Sequence, residues 1–425
     1  MFRLFSVTLQ NIMVWFKRHI LMVAFLLTHF VLSAQDHVAT DTLAKEVSTL
    51  DSVQVSVLTC TPGKDLYAKF GHTALRVQNV TRRVDAVFNY GCFDYNADNF
   101  VMKFLLGKTD YLLGAEPFDY FIERYGQMGI GVTEQVLNLT EVEANELLGL
   151  LVVNLRPENQ EYRYKWLYDN CTERARDMVE KAVEGEVAYE KAPTAMTVRQ
   201  LLRQCLTDSP WTSFGIDMIL GAEIDQKVDR RVQMFLPDVF RAEADEAHII
   251  NNKGERTPYV KRKAVIMEET NEADTPHPLT SPRFVFSLLL LAVALIGWWE
   301  HIKKQYCLWV DVLLHTAQGV AGILVAFLFF FSEHPGVSTN WLVILFNPLP
   351  LLYAAWLILC QQKKRKNVLA YVNLAVVAGF LVTMAVCPQS FDLAMWQVVL
   401  VLLVRAVAQT ERLKVKNGKL EDSHT

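Results

Sequence analysis

The chain has 425 residues, 52% hydrophobic and 21% charged, with 42 Lys and Arg against 46 Asp and Glu. A formal net charge of −4 offers no polycationic surface, and no stretch resembles a DNA- or RNA-binding module, so nucleic acid is excluded as a partner. The apolar residues are unevenly spread, and their distribution divides the chain in two.

Residues 1–34 have the three-part form of a secretory signal. The basic Lys17-Arg18-His19 precedes an apolar run from Ile20 to Leu32, and the small Ser33-Ala34 closes it. No cysteine follows that run, which argues against a lipoprotein signal. Cleaved or kept as one extra membrane helix, it places the domain after it outside the cytoplasm.

Residues 35–281 read as a single α+β domain, opened by a polar linker over 36–51. Val53 to Leu58 alternates apolar and polar residues, as a half-buried strand does. Turn chemistry at Thr61-Pro62-Gly63-Lys64-Asp65 leads to a second strand from His72, with His72, Ala74 and Arg76 on one face. Ala86 to Tyr90 reads as a third. Helices are expected over Phe118–Tyr125 and after the capping-box patterns at Thr140-Glu141-Val142-Glu143 and Thr197-Val198-Arg199-Gln200. Another is expected to begin at Asn170-Cys171. Pro276 to Pro282 marks the boundary.

Residues 282–425 are expected to form an all-α membrane domain of five helices. The apolar stretches are Phe284–Trp299, Leu308–Phe331, Trp341–Cys360, Val368–Val386 and Leu393–Val407. Lys303-Lys304, the run from Lys363 to Lys366, and the tail with Arg412, Lys414, Lys416 and Lys419 are basic, whereas Ser332–Asn340 and Pro388–Asp392 lack Lys and Arg. The positive-inside rule therefore places the C-terminus in the cytoplasm and residues 35–281 outside. Asp311 and His315, four apart in the second stretch, share a helix face where ionisable groups are costly; Asp311 lies near enough to the cytoplasmic end to reach water.

Four of the seven cysteines, Cys60, Cys92, Cys171 and Cys205, lie in the first domain. Two disulfides are one use for them. The other is catalysis: Cys171 at a helix N-terminus meets unpaired backbone N–H groups and the positive end of the macrodipole, which lower a thiol pKa. No paired Cys/His spacing points to zinc, and no cofactor is implied.

His72 on a strand, Asn89 on the next and Asn170-Cys171 at a later helix start resemble a circularly permuted NlpC/P60 fold of papain type. The order, histidine before cysteine, is that of the lecithin:retinol acyltransferase relatives. The runs Leu58–Gly63, Phe70–Val77, Phe88–Gly91, Tyr168–Thr172, Phe235–Pro237, Glu333–Asn340 and Asn347–Leu349 more closely resemble the DUF4105 family, in its Lnb-type form with a periplasmic and a membrane domain. The resemblance implies a lipoprotein N-acyltransferase in the inner membrane, facing the periplasm. Its donor would be a membrane phospholipid and its acceptor the N-terminal amine of a diacylglyceryl-cysteine lipoprotein. Cys171 would carry the acyl chain as a thioester, His72 would shuttle protons, and Asn89 would orient His72. Backbone N–H groups at the helix start would hold the oxyanion. Tyr67, Asn170, Arg174 and His334 are the candidate substrate-binding residues: Tyr67 to polarise the site, Asn170 beside the nucleophile, Arg174 for a phosphate headgroup, and His334, with Glu333, at a lipid entrance. A membrane-anchored cell-wall peptidase using the same Cys and His, and a disulfide-bonded scaffold without catalysis, are the alternatives.

Overall fold

A computed structural model describes residues 53–421 except 80, 82, 95–97, 191–194, 272–274 and 364, with side chains as far as Leu413. The signal and linker readings of residues 1–34 and 36–51 lie outside the described residues. The first domain is built on strands β1 (Gln54–Cys60), β2 (His72–Asn79), β3 (Val84–Cys92), β4 (Asp110–Pro117), β5 (Val132–Leu137) and β6 (Glu161–Arg163). Three short strands, β7 (Glu186–Ala188), β8 (His248–Ile250) and β9 (Arg256–Pro258), form a separate sheet, and β10 (Val260–Met267) returns to the first. The main sheet is antiparallel in the order β10-β5-β1-β2-β3-β4-β6, so the β1–β2–β3 meander lies at its centre.

The helices of six or more residues in this domain are α1 (Phe100–Leu105), α2 (Phe118–Gln127), α3 (Glu141–Asn154), α4 (Cys171–Ala182), α5 (Val198–Cys205), α6 (Pro210–Ile219) and α7 (Pro237–Ala244). Alternation along the central strands gives two buried faces. Val57, Leu75, Val77, Phe88 and Tyr90 pack with α3 and α4, whereas Leu58, Cys60, Ala74 and Val87 pack with Phe121 of α2. Capping boxes start α3 at Thr140, α4 at Asn170 and α5 at Thr197.

The second part contains α8 (Pro282–Lys303), α9 (Leu308–Phe331), α10 (Leu349–Gln362), α11 (Leu369–Val386) and α12 (Leu393–Glu421). Among the described residues, five segments are long and apolar enough to cross a membrane. The third of them is not one continuous helix. A 3-10 turn at Trp341–Ile344 breaks at Asn347-Pro348 before the 14 residues of α10. Such a helix rises only about 21 Å, short of the hydrocarbon core. The break is satisfied by protein: the Asn347 amide donates to the carbonyls of Val343 and Ile344 at 3.0 Å each and accepts from Leu349 N–H. Gly322 of α9 admits it, because a Cβ there would lie 2.3 Å from Asn347 N.

Asp311 does not reach water. It is fully buried and paired with Arg405 of α12 at 2.8 Å, and the same guanidinium meets Glu300 of α8 at 2.8 Å. One arginine thus ties three helices through charges that burial would otherwise make costly. His315 turns inward to Gln318 at 3.0 Å.

The two halves meet along a backbone seam. Gly221 N–H donates to Gly336 O at 2.7 Å and Ala222 N–H to Thr339 O at 3.1 Å. Buried Arg199 holds this segment by donating to the carbonyls of Leu220 and Gly221 while pairing with Asp217 and Asp225. Phe214 and Met218 of α6 pack into the core of the helical half.

Candidate active site

Three chain segments converge at one end of β2 and β3. Gly71, at φ +76°, turns the chain into β2 and starts it with His72. On β3, Asn89 is followed by a register irregularity at Gly91, where φ is +92°. A Cβ on Gly91 would lie 3.7 Å from Cys171 Cβ, so this left-handed glycine opens the strand to the N-terminus of α4. The structure therefore brings His72, Asn89 and Cys171 together.

His72 Nε2 lies 2.7 Å from Asn89 Oδ1. The carbonyl oxygen can only accept, so Nε2 keeps its proton and Nδ1 is left for the thiol. Asn89 Nδ2 donates to Glu116 Oε1 at 2.9 Å, and Glu116 is ion-paired with Arg124. A carboxylate at that place can only accept, which selects the amide orientation that presents Oδ1 to His72. Sequence reasoning misses Glu116 and Arg124. The diagonal placement of Glu116 and Asn89 depends on the β3–β4 register, in which Asn89 faces Gly114 and Val87 faces Glu116.

Cys171 is a free, buried thiol, as is Cys60; Cys92 and Cys205 are free and half-buried. Burial alone would raise the Cys171 pKa. The hydrogen-bonded His72 imidazolium, the Thr73 N–H and the Thr172 hydroxyl outweigh burial and bring it down to about 7. Burial would likewise lower His72, but the facing thiolate and Asn89 raise it. The neighbouring thiols shift the other way. Burial pushes Cys60 far up and Cys92 up to about 11. Only Cys171 has the environment of a nucleophile among these three.

Two sequence expectations change in detail. Asn170 is the N-cap: its Oδ1 accepts from Thr172 N–H at 2.9 Å and Glu173 N–H at 3.0 Å, and its Nδ2 donates to the carbonyls of Trp166 and Phe235. Its polar atoms are fully used in holding the helix start. Because the amides of Thr172, Glu173 and Arg174 are engaged, the Cys171 amide is the one first-turn N–H for which no partner is found among the described residues. Arg174 forms a two-point ion pair with Asp169 at 2.6 and 2.7 Å and lies over the Tyr162 ring, so it stiffens the turn before α4.

A model of the Lnb N-terminal periplasmic domain matches residues 39–204, and a model of the Lnb transmembrane domain matches residues 273–416. The chain belongs to the Lnb family. No curated protein and no solved structure matches it. The Cys171 site lies wholly within the part matched as the Lnb periplasmic domain, and the broken third span within the Lnb transmembrane domain. Tyr67 stands 51% exposed at the rim, its ring 6.4 Å from Phe93. His334, in the connection after α9, meets Phe104 O through Nε2 at 2.6 Å, and its ring is 5.4 Å from that of Phe104. It joins the two Lnb domains and does not touch Cys171. Burial lowers its pKa, which keeps the ring neutral.

Proposed function

We propose that this Lnb family protein is a thiol-dependent lipoprotein N-acyltransferase of the inner membrane, with its catalytic domain in the periplasm and its C-terminus in the cytoplasm. The observation that carries the reading is the free Cys171 thiol, lowered to about 7 beside a His72 oriented by Asn89, in a domain joined to five segments long and apolar enough to cross a membrane. The Cys171 thiolate attacks an ester carbonyl of a phospholipid, with the Cys171 N–H receiving the oxyanion. The ester C–O bond breaks, and the His72 imidazolium protonates the departing lysophospholipid alkoxide. The thioester is then attacked by the α-amine of a diacylglyceryl-cysteine lipoprotein. Neutral His72 takes the amine proton, the C–S bond breaks, and the thiolate returns. The strand-borne histidine before the helix-borne cysteine is the order of a permuted NlpC/P60-like thiol enzyme, and on that likeness the fold is read.

Purified protein given phospholipid vesicles and a diacylated lipopeptide should yield the N-acylated lipopeptide and lysophospholipid. Cys171→Ala should abolish both the product and a hydroxylamine-sensitive acyl-enzyme, and Cys171→Ser should fall by about 10³-fold or more, because serine is hardly ionised near neutral pH. Cleavage of peptidoglycan stem peptides with the lipopeptide left unmodified would replace this reading with the peptidase one.

A further inference from the structure

The most unusual surface of the first domain is α1, with the sequence Phe-Val-Met-Lys-Phe-Leu. Its four central residues are all exposed, Val101 at 63%, Met102 at 51% and Phe104 at 46%. A short helix does not project such side chains into water without a partner surface. Its neighbours say which. Glu333 N–H donates to Leu106 O at 2.9 Å, and Lys108 pairs with Glu333 at 3.1 Å. Gly107, at φ +69°, is packed so closely on this connection that a Cβ would lie 2.8 Å from His334 N. The connection begins where α9 ends, and the last residues of α9, Phe330 and Phe331, are 67% and 64% exposed. The exposed apolar residues of α1 are thus held beside the exposed end of a membrane-length helix, and the exposed Lys103 lies among them.

From α1 a row of rings leads inward. Phe104 and Phe100 are 6.2 Å apart, Phe100 and Phe93 5.6 Å, Phe93 and Tyr111 5.0 Å, and Tyr111 and Tyr164 4.2 Å. Tyr164 and Cys171 flank the open side of Gly91, within 3.9 Å and 3.7 Å of where its Cβ would stand.

We propose that α1 is a lip immersed in the outer leaflet of the membrane, and that the ring row from Phe104 to Tyr164 guides a lipid acyl chain from the bilayer to Cys171. The lip rests on the topology given by the basic connections, and the guiding role on the acyl-transfer reading. Two measurements separate them. In vesicles of phosphatidylethanolamine containing acyl-brominated phosphatidylcholine, the emission added by Met102→Trp over the nine native tryptophans should be quenched by the bromolipid and shielded from aqueous iodide. This needs no activity. Secondly, Val101→Asp/Met102→Asp should lower N-acylation from vesicle phospholipid by about tenfold or more, through lost burial of two apolar side chains. Release of p-nitrophenol from water-soluble p-nitrophenyl butyrate should stay within about twofold, since that donor needs no membrane entry. Iodide quenching without bromolipid quenching would overturn the lip. Unchanged vesicle transfer in the double variant, or an equal loss with both donors, would overturn the guiding role. A wild-type protein that modified no lipopeptide would sink the acyl-transfer reading, and with it the guiding role, while the quenching result still decided the lip.

Discussion

His72, Asn89 and Glu116 form a relay in which each group restricts the next. Glu116 accepts from Nδ2 of Asn89, so Oδ1 is turned to His72 Nε2, and Nδ1 is left as the base toward Cys171. Glu116 itself is raised by burial, against the pull of Arg124. Cys171 is lowered to about 7 by the His72 charge and its hydrogen bonds, and His72 is raised by the facing thiolate and Asn89, so each partner favours the charged form of the other. Acylation of Cys171 should therefore rise as pH passes about 7 on the acid side and fall on the alkaline side as His72 loses its proton. Asn89→Ala removes a contact that favours protonated His72, so the alkaline limb should move to lower pH and the optimum rate should drop by about 10²-fold. Glu116→Ala should move the same limb by a smaller amount, and Glu116→Gln, which still offers an acceptor, should restore it. Stopped-flow acylation across pH checks all three. A Glu116→Ala profile superimposable on wild type would remove its positioning role.

At the scale of elements, α4 presents Cys171 because Asn170 closes the helix start from both sides. Its Oδ1 caps two amides, and its Nδ2 ties the turn to Trp166 and, from far along the chain, to Phe235. Arg174 and Asp169 brace the same turn. Asn170→Ala should cost about 1–3 kcal/mol, as a lost cap with buried carbonyls left unpaired. It should also slow iodoacetamide alkylation of Cys171, since the thiol would no longer sit against His72 and the Thr73 N–H. Asn170→Asp keeps the acceptor and loses the donor, so it should fall between the two. Thermal unfolding and alkylation kinetics read these effects separately. An Asn170→Ala protein alkylated at the wild-type rate would show that the cap does not position the thiol.

Across the whole molecule, the α+β part and the helical part are joined by backbone, at the Gly221–Gly336 and Leu106–Glu333 hydrogen bonds, and not only by side chains. Close approach is the requirement at Gly221, where a Cβ would lie 2.3 Å from both Asn340 N and Thr339 C. Backbone atoms cannot step aside as a flexible side chain can. Gly221→Ala should part the seam, lowering the unfolding temperature in detergent by an amount equivalent to about 1–3 kcal/mol. Protease cutting between α5 and α7 should rise with it. A variant as stable and resistant as wild type would show that the seam yields locally.

The sequence alone discloses the division into an α+β domain and a helical membrane domain, because alternation, capping boxes and long apolar runs are local signals. Asn170-Cys171 is readable as a helix start for the same reason, and motif resemblance singles out His72, Asn89 and Cys171 without showing how they meet. Glu116 escapes it, since strand register joins that residue to Asn89 and register is a long-range property. The interruption at Asn347-Pro348 is hidden inside an apolar run whose hydropathy does not register a lost turn. Asp311 reads as a residue near water because its partner, Arg405, lies far along the chain. Arg174 and Asn170 read as substrate contacts, and the structure adds what the sequence does not show: Asn170 caps α4 and Arg174 pairs with Asp169 in the turn before it. In each case composition and spacing specify what a residue can offer, while only the packed chain determines which groups desolvate it and which partner accepts the offer.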